Sequence, residues 1–95
     1  ELDLVLADGE ELAVVEVRCR ADAAPVSGLE SIGRGKCRRI IHATEHFLLA
    51  HPGLAGAAIR FDVVVVTGTP PAAGIAWLRG AFTADDVAGP RAFRV

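Results

Sequence analysis

Hydrophobic and polar residues alternate at the start of the chain, then recur at helical spacing, and then form an unbroken apolar run. The alternation over residues 1–6 and 12–18, with Asp-Gly between the two runs, predicts a β-hairpin. Apolar residues at helical spacing predict a helix over residues 29–50. The β-branched run of residues 59–66 predicts a central strand buried on both faces, and residues 75–79 predict one more strand. This β-β-α-β-β order predicts an α/β fold, in which a mixed sheet carries the long helix on one face.

The loop of the predicted hairpin decides which acidic residue faces which. A two-residue loop over 8–9 sets Asp3 opposite Val14, whereas a four-residue loop over 8–11 sets Asp3 opposite Glu16. Either loop produces the same charged face, because successive side chains of a strand point to opposite sides. The residues on that face are Glu1, Asp3, Glu16 and Arg18.

The charged face of the hairpin has two interpretations. Carboxylates two residues from a cation are common on a solvated sheet face, and motif matches of this size have a real false-positive rate. However, Val5, Leu12 and Val14 lie on the same face, which favours acids at the open end of a partly buried surface. Crowded carboxylates repel each other unless a cation neutralises them, and hard divalent ions take oxygen ligands. The spacing therefore indicates a candidate site for a divalent cation.

Two glycines near the start of the predicted helix make that start irregular. Gly33 and Gly35 each cost about 1 kcal/mol relative to alanine inside a helix, so we expect a late or irregular start near Arg34. The residues expected to face the sheet are Leu29, Ile32, Ile40, Ala43, Phe47 and Leu48. His42 to His46 also match the H-x-x-E-H zinc motif, but no glutamate follows Glu45 to supply a third ligand. We therefore expect these histidines to be polar positions beside the apolar stripe.

Composition limits the class of protein. The length of 95 residues suits a single domain over 1–95 with a less regular tail over 83–95, and 52% hydrophobic with 23% charged residues indicates a globular chain. The chain has no methionine and begins inside a predicted strand, so we expect an N-terminally truncated fragment. No apolar run approaches the roughly 20 residues of a membrane span. Cys19 and Cys37 are too few for a disulfide framework, which favours reduced thiols and a cytoplasmic location. A homodimer would cover the sheet face that this chain leaves open.

Basic residues cluster around the predicted hairpin end and helix start, although the net charge is −2. Local basic clusters are typical of phosphate contact, and a solvated helix face is the alternative for the helical members. The candidate nucleic-acid-binding residues are Arg18, Arg20, Arg34, Lys36, Arg38 and Arg39.

Several segments together resemble a known family. Residues 1–5 (ELDLV) resemble the motif G-E-[IL]-D-L-[IV], and residues 15–20 (VEVRCR) resemble V-E-V-K-x-R. Residues 36–40 (KCRRI) resemble K-x-R-R-[LI], residues 60–64 (RFDVV) resemble R-F-D-V-V, and residues 81–82 (AF) resemble the end of N-A-F, all in the same order. The family is the uncharacterised YraN-like family. Its members are assigned as endonucleases of the restriction-endonuclease-like PD-(D/E)xK superfamily and are similar to Holliday-junction resolvases.

The resemblance implies a fold, a cofactor and a set of site residues. It implies a restriction-endonuclease-like mixed sheet with an additional helix upstream of this fragment. Asp3 and Glu16 would hold Mg²⁺ or Mn²⁺, the Val17 carbonyl would be a further oxygen ligand, and Glu1 would be a neighbouring acid. Where the family motif has a catalytic lysine, this chain has Arg18. Arginine can stabilise a phosphate charge but cannot take up a proton, and Lys36 could substitute only if it reaches the same face.

These observations predict a metal-dependent DNA endonuclease that hydrolyses phosphodiester bonds, with branched DNA as the expected substrate. The alternative is a nuclease-like module that binds nucleic acid or protein without cutting, which the arginine at position 18 favours.

Overall fold

The computed structural model describes residues 2–20, 28–69 and 71–87 and contains one four-stranded sheet in the order β1-β2-β3-β4. The strands are β1 (Leu4–Asp8), β2 (Glu11–Arg20), β3 (Ala58–Thr67) and β4 (Gly74–Phe82), and helix α1 (Gly28–Ala50) connects β2 to β3. A 3-10 turn (Pro52–Leu54) follows α1, and the short helix α2 (Ala84–Val87), which the sequence pattern did not predict, follows β4. The predicted α/β fold and its β-β-α-β-β order are confirmed.

The register of the hairpin resolves the two alternatives left by the sequence. Leu4 pairs with Val15 and Asp8 pairs with Glu11, so the register is that of the longer predicted loop. Asp3 lies one residue before β1, where a continuation of this register would set it opposite Glu16. Gly9 has a φ of 62° in the turn, a left-handed conformation that glycine adopts at no steric cost.

The sheet is mixed, and its core lies between one sheet face and α1. Strands β2 and β3 are parallel, as the helical crossover requires, while β1 and β4 are antiparallel edge strands. The prediction that residues 59–66 form a central strand is therefore confirmed. The buried cluster under α1 consists of Val14, Ile32, Cys37, Ile40, Phe61, Val63, Val65, Phe82 and Val87.

Helix α1 is broken near its start, as its glycines predict. Gly33 has φ 72° and ψ 159°, so two helical segments meet at this residue. Beyond the break, Cys37 is fully buried and Ile40 is 3% exposed, which holds this part of α1 against the sheet. The helix ends at Ala50, just before Pro52.

The opposite sheet face contains a buried ion pair. Asp62 is 1% exposed, and its carboxylate accepts hydrogen bonds from the Arg60 Nε (2.9 Å), the Trp77 indole Nε1 (2.9 Å) and the Gly80 backbone N–H (2.9 Å). Arg60 also contacts the carboxylate of Asp8 at 3.0 Å. Burial raises the pKa of Asp62, but the bonds from Arg60, Gly80 and Trp77 outweigh burial and lower it overall. This network ties β1, β3 and β4 together on the face that α1 does not cover.

None of the helices in the described part of the chain is long and apolar enough to cross a membrane.

Candidate functional site

Asp3 and Glu16 come together at the open end of the hairpin. Asp3 Oδ2 accepts a hydrogen bond of 3.0 Å from the backbone N–H of Val17, the residue that follows Glu16 on β2. This bond holds the Asp3 carboxylate against β2, next to the Glu16 side chain. The expectation that both acids lie on one face therefore agrees with the register and with this contact.

Glu16 is a buried acid on the interior strand β2. Only 6% of the residue is exposed, because its side chain lies on the sheet face that packs beneath α1. Burial raises the pKa of the Glu16 carboxyl, and the nearby Asp3 charge raises it further, while Lys36 acts in the opposite direction. A second positive charge at this position would relieve both unfavourable effects.

Lys36 of α1 reaches the acidic pair. Its Nζ lies 3.6 Å from Glu16 Oε2, and its side chain is 38% exposed while that of Glu16 is 8% exposed. The sequence could not show whether this lysine reaches the charged face, because the contact depends on how α1 crosses β2. The structure brings the two groups together.

Arg18 lies two residues beyond Glu16 on β2 and is exposed. Alternation along the strand sets it on the same face as the acids. Among the residues that the structure describes, its guanidinium forms no ion pair and no hydrogen bond.

The remaining candidate basic residues differ in what they contact. Arg34 donates a hydrogen bond of 2.8 Å to the Asp86 carbonyl, and Arg38 donates one of 2.9 Å to the Val87 carbonyl. Both arginines thus hold α2 against α1 in addition to any role in binding. Arg39 is exposed on α1, while Arg20 is half-buried at the end of β2. Glu1, the predicted accessory acid, lies outside the described residues.

The donors at the acidic pair suit a hard cation. They are two carboxylates, with the backbone of Val17 beside them. Within the described ranges, there is no larger group of three or more His, Cys, Asp or Glu side chains that could hold a metal ion. Mg²⁺ is commonly held by one or two carboxylates while it keeps several waters and takes substrate phosphate oxygens. Asp3 and Glu16 are therefore the two described residues that could hold Mg²⁺ or Mn²⁺ at this site.

The H-x-x-E-H histidines form no such centre. His42 and His46 are exposed on α1 with their Nε2 atoms 3.2 Å apart, and Glu45 Oε1 lies 4.0 Å from His42 Nδ1. A catalytic zinc site uses three protein ligands. Because no cluster of three ligand side chains occurs in residues 2–20, 28–69 and 71–87, these histidines are surface positions of α1 in the described structure.

An apolar groove of about 1320 Å³ runs between β1 and α1. Val5 and Leu12 line it from the sheet and Phe47 lines it from the helix, while Asp3 and Arg39 also border it. The sequence pattern did not predict this groove, because its two walls come from segments far apart in the chain.

Comparisons with known proteins place the chain among bacterial relatives. Residues 1–66 match the uncharacterised protein family UPF0102. A UPF0102 protein of Xanthomonas oryzae pv. oryzae is 48% identical over 86 residues, which are 90% of this chain and 69% of the relative. A UPF0102 protein of Chromohalobacter salexigens is 44% identical over 84 residues, covering 88% of this chain and 67% of the relative. A UPF0102 protein of Stutzerimonas stutzeri is 43% identical over 82 residues, covering 86% of this chain and 68% of the relative. The resemblance to the YraN-like family is thereby confirmed, and the names of these relatives assign no activity.

Proposed function

The chain belongs to the uncharacterised protein family UPF0102, and from its acidic pair we propose that it is a metal-dependent phosphodiesterase acting on DNA. The observation that carries the proposal is the approach of Asp3 to the buried Glu16 at the open end of the hairpin. A buried carboxylate beside a second carboxylate is costly unless a cation is present. A divalent cation held there would offset that cost and would contact a phosphate at the same time.

The proposed roles follow from the position of each group. Asp3 and Glu16 would hold Mg²⁺ or Mn²⁺, with the Val17 carbonyl as the expected further oxygen ligand. When bound, such an ion polarises the scissile phosphate and lowers the pKa of a bound water. Arg18, exposed on the same face, would contact the negative charge of the phosphate.

Contacts to the nucleic-acid backbone would come from the basic residues around α1. Arg39 is exposed there, and Arg34 and Arg38 keep further N–H donors besides those that bind α2. Such contacts position the duplex and carry no sequence information. DNA as the partner, a cytoplasmic location and dimerisation stay predictions.

A second candidate function is supported by Arg18. An arginine at the position of the family's lysine cannot accept a proton, so the same fold could bind nucleic acid or protein without cutting. The two candidates differ in one respect: the enzyme requires a divalent cation at Asp3, and the binding module does not.

The experiment measures Mn²⁺ binding and cleavage of branched DNA by the full-length protein. Wild type is compared with Asp3→Ala, with Arg18→Lys, and with Glu45→Ala as a control at an exposed acid of α1. We expect Mn²⁺ binding and cleavage in wild type and in the control, and loss of both in Asp3→Ala.

The other outcomes separate the candidates. Cleavage by Arg18→Lys alone would identify a nuclease fold whose chemistry was lost at that residue. Salt-sensitive DNA binding without Mn²⁺ binding or cleavage would reject the enzyme and favour the binding module.

A further inference from the structure

The chain contains a single lysine, and that lysine contacts the acidic pair. Nine of the ten basic residues are arginines, and Lys36 is the exception. Its Nζ lies 3.6 Å from Glu16 Oε2. An ammonium group is a compact charge on a flexible stem, unlike the planar guanidinium of arginine. The one group of this kind is therefore at the site where the proposed reaction needs a cation.

The backbone of α1 holds Lys36 in place while its side chain stays accessible. Cys37 is fully buried and Ile40 is 3% exposed, so the first turn after the break at Gly33 is packed against the sheet. The Lys36 side chain is nevertheless 38% exposed. Because its backbone position is fixed and its side chain is partly exposed, Lys36 can contact either Glu16 or a bound phosphate.

Resting on the proposed function, we propose that Lys36, and not Arg18, is the resident cation of the acidic site. Without a divalent ion, Lys36 neutralises Glu16. When a divalent ion occupies the acidic pair, repulsion between the two positive charges displaces the Lys36 ammonium, which then pairs with the substrate phosphate. Arg18 forms no ion pair with any described residue and serves as a peripheral backbone contact.

A purely structural ion pair would behave differently. Replacing one partner of such a pair lowers the free energy of unfolding but does not change the affinity for the metal. In that case the addition of metal would also not change the exposure of Lys36. The proposed role instead couples Lys36 to the metal, because cation and ammonium compete for the same carboxylate.

The first measurement is Mn²⁺ affinity, by calorimetry on the full-length protein without DNA. We expect Lys36→Gln to bind Mn²⁺ roughly fivefold more tightly than wild type, because a competing charge within about 4 Å is removed. Lys36→Arg should stay near wild type. Arg79→Gln, on the opposite sheet face beside Asp8, is the matched control and should not change the affinity. Thermal unfolding checks that each variant is folded.

The second measurement uses the single lysine as its own probe. An amine-reactive acetylating reagent is applied, and the Lys36 peptide is quantified by mass spectrometry, which separates it from the α-amine. Acetylation of Lys36 should accelerate when Mn²⁺ is added and slow again when DNA is added as well.

The outcomes separate this inference from the proposed function. One outcome rejects the role of Lys36 but keeps the metal site. In it, Asp3→Ala abolishes Mn²⁺ binding, Lys36→Gln binds Mn²⁺ as tightly as Arg79→Gln does, and the rate of Lys36 acetylation does not change with Mn²⁺. If wild type binds no Mn²⁺ that depends on Asp3, both are rejected. Tighter binding by Lys36→Gln together with Mn²⁺-dependent acetylation supports the inference.

Discussion

Glu16 concentrates the electrostatic cost of the site in one side chain. The residue is only 6% exposed and its carboxyl lies beside the Asp3 carboxylate, and both conditions disfavour the ionised form. Asp62 shows the contrasting case on the other sheet face, where hydrogen bonds from Arg60, Gly80 and Trp77 stabilise a carboxylate that is even more deeply buried. Asp62 is satisfied by the protein, whereas Glu16 has only Lys36 at 3.6 Å among the described cations. This difference marks Glu16 as the acid that an external cation would stabilise.

The raised pKa of Glu16 has a consequence for stability. Because the folded protein holds this proton more tightly than the unfolded chain, the associated stability is present below the unfolded value of 4.5 and is lost as pH rises through the raised pKa. We expect Glu16→Gln to remove this loss. The free energy of unfolding of the variant should therefore exceed that of wild type most at neutral pH and least near pH 4.5. Urea unfolding across this range measures the effect.

The control for the Glu16 measurement is Glu45→Gln, at a carboxylate that is 69% exposed on α1. It should follow the wild-type pH dependence. If Glu16→Gln raised the free energy of unfolding equally at every pH, the destabilisation could not be assigned to the ionised carboxylate.

At the scale of an element, α1 decides how the acidic pair is covered. The break at Gly33 separates the start of the helix from the segment that carries Lys36, Cys37 and Ile40. That segment lies against the sheet, so that the lysine contacts Glu16 while the cysteine fills the core. A continuous helix would follow a different path into this contact. The glycine that looks unfavourable in the sequence therefore sets the geometry of the site.

The break predicts opposite effects at two neighbouring glycines. Gly33 occupies φ 72° and ψ 159°, a region that is essentially restricted to glycine, so Gly33→Ala should cost roughly 1–3 kcal/mol although an added Cβ would meet nothing within 4 Å. Gly35 is helical, and its added Cβ would make an ordinary contact of 3.7 Å with Arg39. Gly35→Ala should therefore stabilise the protein by about 0.5–1 kcal/mol. Chemical unfolding measures both, and stabilisation by Gly33→Ala would contradict the break.

At the scale of the whole molecule, the two faces of the sheet have different charge chemistry. The face beneath α1 carries the acidic pair with Lys36, and exposed Arg39 lies on α1 itself. On the other face, Arg60 and Arg79 are both engaged with the carboxylate of Asp8. Leu4 and Trp77 are exposed there at 47% and 44%. A net charge of −2 therefore hides one side that is suited to phosphate and one that is not.

This asymmetry predicts which arginine contributes to DNA binding. Arg39→Gln should weaken DNA binding and reduce the slope of log affinity against log salt by about 1, as expected for one lost phosphate contact. Arg79→Gln should leave the slope unchanged, because that side chain lies on the other face and contacts Asp8 at 3.4 Å. Fluorescence anisotropy with labelled DNA over a salt series measures both. Equal slopes for wild type and Arg39→Gln would remove α1 from the interface.

The sequence by itself determined the order of the elements and the residues that could form a site. Alternation and helical spacing are local properties, so the hairpin, the helix over residues 29–50 and the strand over residues 59–66 were assigned without tertiary information, although Leu2 and Asp3 lie before β1 and not in it. The irregular start of α1 followed from Gly33 for the same reason. The sequence also limited the register of the hairpin to two alternatives, both with Asp3 and Glu16 on one face.

Only the tertiary structure decided which of these residues meet. Three features depend on contacts between distant segments. They are the hairpin contact that brings Asp3 beside Glu16, the reach of Lys36 to Glu16, and the use of Arg34 and Arg38 to hold α2. The Asp62 network was missed because its partners come from three strands, while Asp62 itself lies in an apolar run. Local sequence patterns reflect the conformational preference and the buried face of one short segment. The contacts at the site arise only when α1 packs on the sheet and the strands pair.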